Sequence, residues 1–123
     1  MARKLKVSEI KPIEILDIGN GRQIVLRSTL DQYYCWTHVF LTEGEQETHV
    51  GFYGNSLDGK MKESIKYNEN FIVFYYRNPY VPRRDPYFIK KIYDINNQEC
   101  LGYNEYPEFV EQYDSSLKRA RKI

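Results

Sequence analysis

With 123 residues, 41% of them hydrophobic and 28% charged, the chain has room for one domain with a real core and too little for two. A formal net charge of +1 excludes a polybasic protein, so any nucleic-acid binding has to come from local clusters of charge. Two cysteines, Cys35 and Cys100, make neither a disulfide framework nor a zinc motif. With no signal peptide and no apolar run of membrane-spanning length, the expected setting is the reducing cytoplasm, away from membranes.

In chain order, a basic start (Arg3, Lys4, Lys6) precedes a strand over 12–18. Gly19-Asn20-Gly21 is a turn, and 23–29 is the returning strand. The segment 33–41 then alternates: Tyr34, Trp36, His38 and Phe40 on one face, Cys35, Thr37, Val39 and Leu41 on the other. Glu43 to Gln46 reads as a hairpin loop, and 47–53 returns with Thr48, Val50 and Phe52 on one side and His49, Gly51 and Tyr53 on the other. If Thr42 pairs with Glu47, Phe40 faces His49 and Trp36 faces Tyr53. Leu57, Met61 and Ile65 recur at spacing four and predict a short helix over 56–66, capped by Asn55 or Ser56 and weakened by Gly59. After Asn68-Glu69-Asn70, the strand Phe71–Arg77 is apolar on both faces and reads as central or closed into a barrel.

Residues 78–86 hold three prolines and read as an exposed loop carrying Tyr80, Arg83 and Arg84. Tyr87 to Ile95 is the next strand, with Lys90 and Lys91 breaking its alternation and predicting a bulge or an edge. A turn at Asn96-Asn97 and a short strand from Glu99 to Tyr103 follow. Pro107 suits the first turn of a helix whose stripe is Phe109, Val110, Tyr113 and Leu117, before a basic end of Lys118, Arg119, Arg121 and Lys122.

Many short antiparallel strands point to a small barrel or sandwich. A lone helix between the third and fourth main strands, followed by Tyr67-Asn68-Glu69-Asn70 and then Phe71–Arg77, resembles the OB-fold proteins that bind single-stranded DNA, over residues 22–95. The fold expected is mostly β: a single OB-like domain over 1–123, built on a five-stranded barrel with an extra N-terminal strand, one inserted short helix and a C-terminal helix. The resemblance implies ligand contacts on the aromatic hairpin and on loop 78–86. The acidic tail and Gly-rich linker of the bacterial proteins have no counterpart in the basic end here.

The candidate contact residues follow. Tyr34, Trp36, His38, Phe40, His49 and Tyr53 would stack on or line a groove for bases. Arg77, Tyr80, Arg83 and Arg84, with Lys118, Arg119, Arg121 and Lys122, would meet the backbone and its phosphates. The competing reading buries the ring face under the C-terminal helix. His38 and His49 lie together, but no Cys, Asp or Glu joins them at ligand spacing, so a contact or structural role is expected and no metal or cofactor. Cys35, on the aliphatic face, is expected in the core. No phosphate loop, dinucleotide fingerprint or Ser/His/Asp order supports an enzyme. The expected function is single-stranded DNA or RNA binding, accessory to replication or recombination, on a phage or mobile element. The rival is a protein-binding module of the same origin, inhibiting or adapting a host enzyme, because Tyr, Trp and Arg also dominate protein hot spots.

Overall fold

The computed structural model describes residues 6–59, 62–77, 87–102 and 118–119, with Tyr76, Arg77, 87–90, 101–102 and 118–119 described by their backbone alone. Gly19, Asn20 and Gly21 take φ of +85°, +56° and +72°, values that Gly and Asn reach most readily. They join β1 (Glu14–Gly19) to β2 (Arg22–Leu30). From there the chain is a meander of neighbours: β3 (Tyr34–Glu43), β4 (Gln46–Ser56), β5 (Lys62–Tyr67), β6 (Phe71–Arg77), β7 (Tyr87–Asp94) and β8 (Glu99–Gly102). Each strand pairs antiparallel with the next, in the spatial order β1 to β8, and a two-residue strand β9 (Lys118–Arg119) adds to β5. A 3-10 turn over Val7–Glu9 is the only helical piece among the described residues, and no helix there is long and apolar enough to cross a membrane.

Among the described residues, strands β4 and β5 share one backbone pair, Asn55 with Lys62. The sheet therefore parts at that point. One apolar cluster nevertheless joins the two halves, with Ile24, Leu26 and Val39 from the first and Ile65, Ile72 and Phe74 from the second, all almost fully buried. Polar ties cross as well: Arg22 donates to the Glu69 carbonyl at 3.1 Å and to Asn96 Oδ1 at 3.0 Å, and the Lys91 ammonium donates to the Val50 carbonyl.

The expected OB-like barrel is not what forms. The structure is one open antiparallel sheet, and among the described residues β1 and β8 each pair with a single neighbour and leave the sheet unclosed. The expected helix over 56–66 is also absent: a turn at Leu57-Asp58 leads into β5. The spacing-four stripe competed with a two-residue pattern, and pairing partners decided the outcome. Ile65 and Tyr67 lie opposite Phe74 and Ile72 and are both buried, whereas on a helix residues two apart point to nearly opposite sides. Leu57, the first member of the supposed stripe, is 60% exposed. The expected C-terminal helix lies outside the described residues, as does loop 78–86. The bulge foreseen at Lys90-Lys91 is present: Phe74 pairs with Lys91 but Tyr75 with Ile89, leaving Lys90 as the extra residue.

Candidate functional site

The outer face of β3 and β4 carries the rings. From Glu43 opposite Gln46 up to Phe40 opposite His49 the hairpin keeps the expected register. It then slips by one residue, so that Val39 faces Gly51, Thr37 faces Tyr53 and Trp36 faces Gly54. The slip lets Val50 and Tyr53, three apart, both point into the core, where they are 4% and 3% exposed. Strict alternation forbids that arrangement. Gly51 fits the bulge because a Cβ there would sit 2.9 Å from Phe74 Cζ and 3.2 Å from Lys91 Nζ.

The consequence for the site is an exchange. Tyr53, expected on the ring face, is a core residue, and burial pushes its phenol up to about 12. Phe52, expected inside, turns outward and is 47% exposed. Sequence reasoning missed Phe52, although two glycines inside one strand pattern, Gly51 and Gly54, signal a bulge or a close approach.

The rings touch in a continuous row. Tyr34 lies 5.1 Å from Trp36 between centroids, Trp36 meets Phe52 edge-on at 5.7 Å, and Phe52 lies 5.8 Å from His38. His38 and His49 follow at 5.4 Å, then His49 and Phe40 at 4.8 Å. Phe40 closes the row but offers no free face: it is 5% exposed, with the Arg27 guanidinium 4.7 Å from its centroid. Arg27 is itself buried and fully engaged, donating to the Ile10 carbonyl at 2.8 Å and to Glu47 at 2.7 and 3.3 Å. Phe40 is thus structural, at the closed end of the row.

Trp36 lies flat across β4. A Cβ at Gly54 would come within 2.5 Å of its Cζ3 and 2.7 Å of its Cε3, so one face of the indole rests on the glycine backbone. Its Nε1 donates to Asp31 Oδ2 at 2.7 Å, and Asp31 Oδ1 accepts from the Tyr33 and Tyr34 amides at 2.8 and 2.7 Å. These donors, the indole first, hold the Asp31 carboxyl below its usual range. Around this end Leu30, Tyr33 and Leu57 are 73%, 65% and 60% exposed. Cys35, expected in the core, is only partly buried, and Cys100 is exposed; both are free thiols.

Between the two ends sit the histidines, with His38 Nδ1 3.3 Å from His49 Nε2 and His38 Nε2 3.4 Å from Thr29 Oγ1. Desolvation first, then the partner imidazole, lowers the His38 pKa; desolvation and the Lys91 ammonium lower that of His49, against a backbone contact at Gly51. Both shifts favour the neutral imidazoles.

Of the expected phosphate contacts, Arg77 ends β6 and Lys118 and Arg119 form β9, known by backbone only. Tyr80, Arg83, Arg84, Arg121 and Lys122 lie outside the described residues. Among the described residues no three His, Cys, Asp or Glu side chains gather as a metal site. The pocket between the β1–β2 and β5–β6 turns, lined by Asp17, Tyr67, Asn68 and Glu69, is apart from the ring row. Comparison with protein-family models, with curated proteins and with solved structures found no match for this chain.

Proposed function

We propose that this chain is a non-enzymatic binding protein whose contact surface is the outer face of β3 and β4, and that its ligand is single-stranded nucleic acid, DNA before RNA. One observation carries the reading: Trp36 is held in place, with one face on Gly54 and its Nε1 tied to Asp31, and the ring is partly exposed. A base stacks on such a ring with about 1–3 kcal/mol, with no ring to reorganise first. Tyr34, Phe52 and His49 extend the platform along the row. The support for stacking is this surface and not a barrel, and the phosphate contacts of the reading rest on Arg77, Arg83, Arg84 and the basic end. An accessory role in replication or recombination, in the cytoplasm, belongs to the same proposal; two free thiols suit a reducing compartment.

A second reading has its own observation. Charged groups set against the row include Asp31 at one end, the Arg27–Glu47 pair at the other and the Lys91 ammonium beside His49, and the carboxylates repel a phosphate chain. A protein partner tolerates them, and exposed Tyr33, Phe52 and Leu57 suit a hot spot. Titration of labelled oligo-dT, followed by Trp36 fluorescence at two salt concentrations, separates the two. Stacking predicts quenching, affinity that falls with salt, and a loss of about 5- to 150-fold in Trp36→Ala. No binding at low salt refutes the nucleic-acid reading, and unchanged affinity in Trp36→Ala refutes the platform.

A further inference from the structure

His38 and His49 stand on adjacent strands, offset across the bulged register, and the outward nitrogen of His38 has a partner of its own. His38 Nε2 lies 3.4 Å from Thr29 Oγ1. His38 Nδ1 and His49 Nε2 face each other at 3.3 Å. The two rings hydrogen-bond through these atoms; moving the bridging proton to an outward nitrogen frees both lone pairs, and a shared cation can then take the proton's place. We propose that His38 Nδ1 and His49 Nε2 form a two-histidine chelate for a borderline divalent metal ion, zinc in the first place, completed by water or by a donor from a bound partner.

The distance fits. Two nitrogens at about 2.0–2.1 Å from a tetrahedral zinc stand about 3.3 Å apart, whereas a square-planar site brings neighbours closer. Thr29 supplies the outer hydrogen bond that fixes the tautomer and ring plane of His38 as a ligand. Access is open, since His49 is exposed. One group opposes the site: the Lys91 ammonium, which reaches across from β7 to the Val50 carbonyl and already disfavours charge on His49. Two protein donors therefore make a site of modest affinity whose open positions are available to a third party. This inference is independent of oligonucleotide binding.

The test uses the full chain without an affinity tag and zinc sulfate alone, read by calorimetry and by the imidazole resonances of the two histidines. Expected are one zinc per chain, shifts confined to His38 and His49, and loss of binding in both His38→Ala and His49→Ala. Thermal melts show that these outer-face variants stay folded, and the wild-type resonances give the answer without any variant. Thr29→Val, which keeps the shape and removes the hydroxyl, weakens zinc binding about tenfold, and Lys91→Gln tightens it. Absence of binding at a large excess of zinc overturns the proposal. So does binding that survives in both histidine variants, or that disappears only in Cys100→Ser.

Discussion

Placing one methyl group under Trp36 tests the geometry of the ring face directly. In Gly54→Ala the new Cβ would lie 2.5 Å from Trp36 Cζ3, 2.7 Å from Cε3 and 3.3 Å from Cη2. Those distances are well inside van der Waals contact, so either the indole lifts or β4 moves. Lifting the indole breaks its 2.7 Å bond to Asp31 and opens its contacts with Tyr34 and Phe52. Overpacking of this kind costs about 1–3 kcal/mol, and the lost backbone freedom of the unfolded chain returns about 0.4–1 kcal/mol, a net loss of about 0–2.6 kcal/mol. For 123 residues the unfolding entropy is about 0.26 kcal/mol/K, so each kcal/mol moves the melting midpoint by about 4 °C. The expected drop is up to about 10 °C. It is accompanied by a shift in Trp36 fluorescence and by weakened oligo-dT binding, measured by thermal melting, emission spectra and titration. A Gly54→Ala protein at least as stable as the parent, with an unchanged emission spectrum, would refute the flat indole and with it the stacking platform.

Glu47→Gln leaves the buried Arg27 guanidinium without its 2.7 Å carboxylate partner; a loss of about 1–3 kcal/mol in urea unfolding is expected, and no loss would show that the carboxylate does not offset the burial of Arg27. Gly51→Ala forces Phe74 and Lys91 away from a Cβ that would stand 2.9 and 3.2 Å from them, so about 1–3 kcal/mol is lost by the same measurement. Tyr53, pushed up to about 12 by burial, has a folded pKa above its unfolded value of about 10. Its contribution is complete below pH about 10 and is lost as the pH rises toward about 12. Alkaline unfolding followed by circular dichroism therefore begins above pH about 10 and is displaced upward in Tyr53→Phe; superimposable curves would assign that transition to other groups.

Strand composition carried most of the fold to the surface of the sequence, because β-branched and aromatic runs between Gly, Asn and Pro have few alternatives. The turn at Gly19-Asn20-Gly21 and the bulge at Lys90 were legible for that reason. Residues 56–66 were not: a spacing of four among three apolar residues is weaker than the pull of Ile65 and Tyr67 toward Phe74 and Ile72, which is a tertiary fact. Closure into a barrel was equally out of reach, since it depends on whether β1 meets β8 and no local pattern encodes that meeting. In the site, Tyr34, Trp36, His38 and His49 were found on the expected face, while one extra residue in β4 reversed Phe52 and Tyr53. Phe40 was on the expected face but covered, because what covers it comes from Arg27 on the neighbouring strand. Alternation names a face; it does not say what lies over it.

The solitary Asn55–Lys62 pair has a consequence for how the chain tolerates being cut. Among the described residues, every other ladder contact of β1–β4 stays within those four strands, and every other one of β5–β9 stays within those five. Severing the backbone within 57–61 would sacrifice one ladder pair while leaving the apolar interlock of Ile24, Leu26 and Val39 with Ile65, Ile72 and Phe74 in place. Expressed as two polypeptides, the halves have a preformed reason to find each other. The ring row, carried wholly by the first of them, would serve as an optical reporter of their reassembly through its single tryptophan.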